Sequence, residues 1–182
     1  MIYLTNADMM TSIFLKYTDI PERTDFIENF KFFSEIFNTE MEFSADDEVS
    51  IEYAQKCIEH FQNLSPAMLE IICKGAKAYC LDFLDMDIDV YGKDMTIPVN
   101  ADTPPLEMLK CFRPTDLYVQ EPEDLNKIGY QIGCDCDWEI EHGMEIDILD
   151  DKVLYLSLFN GYSPWLEYED DDDENYINRM EA

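Results

Sequence analysis

The sequence predicts an α+β fold in which a helical hairpin packs on an antiparallel β-sheet. Two consecutive segments within residues 46–86 carry apolar side chains at helical spacing, and Ser65-Pro66 between them is a typical helix start. From Tyr130 to Trp138, apolar and polar residues alternate with a period of two, which indicates a half-buried antiparallel strand. With 182 residues, 47% hydrophobic and 13% aromatic, the chain has enough apolar material for one folded domain.

Residues 1–45 allow two interpretations. Apolar side chains from Phe26 to Phe37 follow a helical period, after a helix-start pattern at residues 21–25. Phe, Tyr and Ile also favour strands, and Met41 and Phe43 alternate with acidic residues. The residues therefore allow either a helix followed by a strand or a meander of strands.

The helical hairpin is predicted from two apolar stripes. Ser44 precedes three acidic residues, Asp46 to Glu48, an arrangement that caps and stabilises a helix N terminus. One stripe then runs from Val49 to Phe61, and a second runs from Met68 to Phe83. Because only a few residues separate them, we expect the two helices to pack antiparallel.

The second half of the chain predicts antiparallel strands over residues 112–160. Residues 85–111 form a connection with one or two helical turns near Leu106 to Phe112, and a short strand is expected from Asp116 to Gln120. After the Tyr130–Trp138 strand, short turns lead to two further alternating segments, one beginning at Met144 and the other at Val153. Three sequential strands joined by short turns make a meander.

Alternation along these strands separates an apolar face from an acidic one. The first contains Tyr130, Ile132, Cys134, Cys136 and Trp138. We expect the second to face solvent, with five carboxylates: Asp135, Asp137, Glu139, Glu145 and Asp147. A further acidic block, seven of the eight residues from Glu167 to Glu174, predicts a solvated, mobile tail over residues 166–182, which leaves residues 1–165 as a single domain.

The charge of the chain limits its partners. Forty-one acidic residues against 12 Lys and Arg give a formal net charge of −29. Such a protein repels nucleic acids and anionic membranes, and favours basic proteins. No segment approaches the ~18 apolar residues that span a bilayer, and no secretory signal pattern is present. We interpret the six cysteines as free thiols, so the expected location is the cytoplasm.

Candidate chemistry is sparse. Cys134 and Cys136 with the nearby His142 suggest zinc ligands, but both thiols share the apolar strand face, so we expect core residues and no metal. His142 is also a candidate general base among carboxylates, although its neighbour Gly143 favours a structural turn. No nucleophile elbow, P-loop or dinucleotide fingerprint occurs, so we expect neither an enzyme nor a cofactor.

The box Cys136-Asp137-Trp138-Glu139-Ile140-Glu141-His142-Gly143 resembles the W-[DE]-x-E-H-G box of an uncharacterised bacterial domain family. Three further segments are similar to that family: Ile128-Gly129-Tyr130, which precedes the box, the acidic turn Asp150-Asp151-Lys152, and the acidic start of the first helix at Asp47-Glu48. The resemblance covers residues 40–160. It implies a small α+β domain with strands at the N terminus, and some members lie near secreted toxins and their immunity proteins. It carries over no catalytic residues.

These observations predict a non-catalytic, acidic protein-binding domain, most concretely an immunity-type inhibitor of a basic toxin such as a nuclease. The expected partner-binding residues are Asp135, Asp137, Glu139, Glu141, Glu145, Asp147, Glu169, Asp170, Asp171, Asp172 and Asp173, with Trp138, His142 and Gly143 as a structural box. The alternatives are a metal-dependent hydrolase that uses His142 with nearby carboxylates, and an accessory or structural protein.

Overall fold

The computed structural model describes residues 29–86, 95–169 and 172–180. In these residues a six-stranded, mostly antiparallel sheet is accompanied by helices, so the fold is α+β. The strands are β1 (Phe30–Ser34), β2 (Thr39–Ala45), β3 (Phe112–Val119), β4 (Gly129–Cys136), β5 (Met144–Leu149) and β6 (Lys152–Ser157). The helices are α1 (Ile51–Gln62) and α2 (Pro66–Asp85), with short 3-10 helices at Pro105–Lys110 and Asn178–Met180.

The sheet follows chain order, β1-β2-β3-β4-β5-β6. All neighbouring pairs are antiparallel except β2 and β3, which run parallel. Parallel neighbours require a crossover, and the segment that contains α1 and α2 provides it. The predicted meander is confirmed in β4, β5 and β6, whereas the parallel pair was not predicted.

The N-terminal part of the described chain is a β-hairpin. Strands β1 and β2 turn at Asn38, which has a φ of 51°. The strand alternative is therefore confirmed over residues 30–45, and the helical interpretation is wrong there; Phe26, Ile27 and all of residues 1–28 lie outside the described residues. Aromatic packing selects the strand: the Phe30 and Phe43 rings stack with centroids 4.9 Å apart, and Phe32 packs edge-on against Phe61 of α1 at 6.0 Å.

Both predicted helices are present. Ser65 accepts a hydrogen bond from the Met68 N–H at 3.2 Å, which confirms the predicted second start. The first helix begins later than expected, because Ser50 and not Ser44 forms the cap, accepting from the Tyr53 N–H at 3.2 Å. Their packing on one another as a hairpin stays a prediction. No helix in the described parts of the chain combines the length and the apolar character needed to cross a bilayer.

The helices define an inner and an outer face of the sheet. On the inner face, Phe61 of α1 packs edge-on against Tyr130 of β4, with centroids 6.3 Å apart. Helix α2 comes close to β6 at Gly75, where a Cβ would lie 3.0 Å from the Leu156 side chain. The alternating partners of these strand residues point to the outer face, on which residues 158–169, here called the strap, are tied to β4 and β5.

The C-terminal residues pack on the domain. Asn175 and Tyr176 are buried, and the Tyr176 N–H donates to the Leu156 carbonyl of β6 at 3.0 Å. This part of the predicted tail therefore packs on the sheet through Asn175 and Tyr176, and the mobility of residues 166–182 stays a prediction. Asp170 and Asp171 lie outside the described residues.

Candidate functional site

The apolar face of β4 lies in the core as predicted. Tyr130, Ile132, Cys134 and Cys136 are buried, although β4 ends at Cys136 and Trp138 follows it outside the strand. Trp138 is an anchor nonetheless, since it is fully buried and packs edge-on against Tyr79 of α2 at 5.6 Å. All six cysteines are free and buried, and desolvation raises the pKa of Cys136 to about 12. These thiols behave as small core residues.

Two of the carboxylates expected to face solvent are buried beneath the strap. Glu145 and Asp147 are fully inaccessible. The Glu145 carboxylate accepts three backbone hydrogen bonds from the strap, from the N–H groups of Asn160 at 3.1 Å, Gly161 at 2.6 Å and Tyr162 at 2.9 Å. Desolvation still raises its pKa. The predicted exposure of Glu145 and Asp147 is therefore wrong, because alternation identifies the face of the sheet on which a residue lies but not whether another segment covers that face.

Glu139 is also buried, and it organises the turn between β4 and β5. Its carboxylate accepts from the backbone N–H groups of Glu141 at 2.9 Å, His142 at 2.6 Å and Gly143 at 2.9 Å. Gly143 has a φ of +70°, and a Cβ there would overlap the Cys134 carbonyl. The box is therefore a turn built around Glu139, and the predicted exposure of Glu139 is wrong, whereas Glu141 and His142 are exposed.

The same turn contains a group of metal-type ligands among the described residues. Ligand atoms of Glu139, Glu141 and His142 lie within 4.8 Å of one another. The Glu139 oxygens already accept three backbone hydrogen bonds that hold the turn, and the other two side chains of the group are exposed. A catalytic zinc site uses three protein ligands. The geometry thus fits a stabilised turn better than a metal centre.

The remaining predicted carboxylates divide between structural and exposed positions. Asp137 is half-buried and accepts from the Thr96 N–H at 2.8 Å, so it fastens a loop to the sheet. Asp135 is exposed and forms an ion pair with Arg113 of β3. In the C-terminal segment, Asp172 accepts from the Glu174 N–H at 2.9 Å, and the exposed Glu169 and Asp173 surround it in sequence.

The part of the outer face over β1–β4 forms an open groove. Two adjoining cavities, of about 460 and 670 Å³, both include Thr115 and Asp116. The first extends from Asp116 to the 139–143 turn, and the second extends over β1 and β2. We call them together the acidic groove; its charged lining residues are Lys31, Glu40, Glu42, Arg113, Asp116, Asp135, Glu139, Glu141 and His142.

Asp116 lies at the centre of the groove, where a β-bulge interrupts the pairing of β3 with β4. It stands opposite Gly133, and a Cβ at Gly133 would overlap its carboxylate, so the glycine makes the space that Asp116 fills. The Thr115 hydroxyl donates to Asp116 at 2.9 Å. Desolvation raises the pKa of Asp116, and the nearby carboxylates of Glu42 and Asp135 raise it further.

Asp116 has no cationic partner in the described parts of the chain. Lys31 pairs with Glu40 at 3.2 Å and Glu42 at 3.6 Å, and Arg113 pairs with Asp135. Sequence reasoning missed Asp116 as a site residue. The available signal was Gly133, a glycine in the middle of the most regular strand, because such a glycine often marks a close approach of another group.

The fold and this groove define a small α+β sheet domain with an acidic, partly covered outer face. The chain belongs to the family described as a domain of unknown function, DUF6985, whose model matches residues 15–163. This agrees with the resemblance to an uncharacterised family. No curated protein and no solved structure matches the chain.

Proposed function

We propose that this domain is a non-catalytic protein that binds a basic protein through the acidic groove. One observation carries the proposal: Asp116 is a partly buried carboxylate in an open groove, and no described cation neutralises it. A desolvated charge without a partner is unfavourable. A cation supplied by another protein would remove that cost, so the groove has more to gain from a basic partner than a fully paired surface has.

The charge of the whole chain supports the same conclusion. The formal net charge of −29 attracts a basic partner over a distance and accelerates encounter, while it disfavours acidic proteins and nucleic acids. Only a local feature separates specific binding from this general attraction. The acidic groove is that feature, because it combines uncompensated charge with a concave surface.

Within this proposal, the particular role is that of an immunity-type inhibitor, acting in the cytoplasm on a basic toxin such as a nuclease. A nuclease must present cations to phosphate groups. An inhibitor that places carboxylates where those phosphates would lie blocks the same surface. The support for this role is the acidic groove together with the resemblance of residues 40–160 to domains near toxin loci.

The test begins with the purified full-length chain. It is immobilised and exposed at low salt to a lysate of its source organism, and each retained basic protein is identified, purified and titrated against the chain. Co-expression then measures whether the chain relieves growth inhibition by that protein. We expect tight, one-to-one binding and protection. If no basic protein is retained, or if the purified proteins bind without defined stoichiometry, the proposal is wrong.

A matched pair of variants separates the groove from bulk charge. The groove variant combines Glu40→Gln, Glu42→Gln and Asp116→Asn, and the control combines Glu48→Gln, Glu59→Gln and Glu123→Gln, which are exposed residues outside the groove. Both remove three negative charges. We expect the groove variant to weaken binding by about a hundredfold and the control by less than about threefold. Equal losses would show that the acidity acts without a defined site.

A further inference from the structure

We infer that the cavity between Asp116 and the 139–143 turn is a subsite for one arginine side chain of the partner protein. This inference rests on the proposed function and deepens it, because it names the group that the groove receives. The cavity has a volume of about 460 Å³, which lies within the range of about 300–1,000 Å³ typical of ligand sites.

Two exposed apolar side chains stand in the otherwise polar walls of this cavity. Ile140, in the turn, is 67% exposed, and Phe159, in the strap, is 44% exposed; both line the cavity together with Asp116. Large apolar side chains beside an acidic floor match an amphipathic cation. The methylene stem of an arginine would pack on Ile140, and its guanidinium plane would lie against the Phe159 ring.

The floor supplies the charge. The Thr115 hydroxyl donates to one oxygen of Asp116, Oδ2, and the described part of the chain provides no donor to the other oxygen, Oδ1. Gly133 lacks the Cβ that would displace the Asp116 carboxylate, so this carboxylate stays at the bottom of the cavity. A guanidinium can donate to it while keeping its other donors toward solvent and Glu141 at the rim.

The lining favours arginine over lysine or a metal ion. A lysine ammonium is strongly hydrated and presents no plane to an aromatic ring, whereas a guanidinium is weakly hydrated and stacks readily. A divalent cation needs several oxygen ligands. Asp135 is already paired with Arg113, and the oxygens of Glu139 accept backbone hydrogen bonds, so too few free carboxylates remain.

The experiment uses the full chain and three synthetic peptides, acetyl-Gly-Leu-Xaa-Leu-Gly-amide, in which Xaa is arginine, lysine or neutral citrulline. Two-dimensional NMR titration follows the backbone amides of Gly133, Ile140 and Phe159. We expect the arginine peptide to shift these amides and to bind about threefold more tightly than the lysine peptide. We expect the citrulline peptide to bind about tenfold more weakly than the arginine peptide. Equal affinity for all three peptides would overturn the inference.

Two variants test the Asp116 floor and the Phe159 wall separately. We expect Asp116→Asn to weaken arginine-peptide binding about tenfold and Phe159→Ala about threefold. The controls are Glu123→Gln, which removes an exposed charge elsewhere, and Leu125→Ala, which removes an apolar side chain that is 67% exposed outside the cavity. If each variant matches its control, the subsite does not exist.

The two proposals fail in different ways. If a basic protein binds with defined stoichiometry and Asp116→Asn affects its affinity no more than Glu123→Gln does, the arginine subsite is wrong and the proposed function stands. If the arginine peptide binds as described and the source organism contains no basic partner, the subsite stands and the proposed function is wrong.

Discussion

The Tyr168 hydroxyl donates a 2.5 Å hydrogen bond to the Asp147 carboxylate, joining the strap to the middle of β5. The same hydroxyl also lies 2.9 Å from the Ser163 carbonyl, and the Tyr168 ring stacks on Tyr155 with centroids 5.5 Å apart. Asp147 itself is fully inaccessible, and its other oxygen, Oδ1, has no hydrogen-bond partner among the described residues. The buried Asp147 side chain thus helps to hold the strap against the outer face of the sheet.

This burial predicts a pH dependence of stability. Desolvation, together with a smaller contribution from the Glu145 charge, raises the pKa of Asp147 from 3.8 to about 7. The folded protein therefore keeps this proton up to about pH 7, whereas the unfolded chain releases it near pH 4. The stability that the proton contributes is complete below about pH 4 and is lost as the pH rises to about 7.

The comparison with Asp147→Asn isolates this group. Between about pH 4 and pH 8, the free energy of unfolding of the wild type should fall by about 2–4 kcal/mol relative to that of the variant. Urea unfolding at intervals of one pH unit measures the difference, and Asp173→Asn controls for the loss of a surface charge. If the two curves stay parallel across this range, the Asp147 carboxylate is not held protonated by its surroundings.

The Glu139 carboxylate should be the main stabilising side chain of the turn after β4. Glu139→Ala removes the acceptor of three backbone N–H groups, those of residues 141, 142 and 143. We expect the variant to lose about 2–4 kcal/mol of unfolding free energy, because water replaces only part of those bonds in a buried site. The exposed neighbour Glu141→Ala should lose less than about 0.5 kcal/mol. Urea denaturation compares them, and equal losses would refute the structural role of Glu139.

Gly143 and Gly161 form a matched pair that separates overlap from backbone strain. Both have a φ near +70°, but a Cβ at Gly143 would overlap the Cys134 carbonyl, whereas a Cβ at Gly161 would meet no atom of the described residues within 4 Å. Gly161→Ala should therefore cost about 1 kcal/mol, which is the cost of the left-handed conformation alone. Gly143→Ala should cost at least about 2 kcal/mol more, since a backbone carbonyl must move. Thermal unfolding of both variants measures the gap, and its absence would contradict the contact.

Several local features could be predicted from the sequence because they depend on neighbouring residues. The alternation from Tyr130 to Cys136 places the apolar side chains in the core, and Ser65-Pro66 begins α2. The helical spacing of Phe30 and Phe33 was misleading, because aromatic residues fit either period, and only the contacts of Phe30 with Phe43 and of Phe32 with Phe61 select the strand. That information is not local.

Prediction of the candidate site from the sequence is limited in the same way. A buried carboxylate that accepts three N–H groups, such as Glu145 or Glu139, has the same sequence pattern as an exposed one. The strap reaches Glu145 from residues about 15 positions away, and β2 reaches Asp116 across the parallel pair. Charge and alternation therefore identified an acidic face, whereas only the tertiary structure separates its covered part from the open groove around Asp116.

The buried amide of Asn175 closes the edge of β6, and its removal should weaken the whole domain. Its oxygen accepts from the Leu156 N–H at 3.2 Å and its nitrogen donates to the Leu154 carbonyl at 2.8 Å, so one side chain serves a donor and an acceptor of the edge strand. Asn175→Ala leaves both groups without this partner, and we expect a loss of about 2–3 kcal/mol in unfolding free energy. Asp173→Ala, a substitution of an exposed residue two positions earlier, should alter the unfolding free energy by less than about 0.5 kcal/mol.

Because an uncovered edge pairs readily with another chain, Asn175→Ala should also self-associate more than Asp173→Ala in sedimentation experiments. Identical stability and association in the two variants would show that the C-terminal segment does not protect β6.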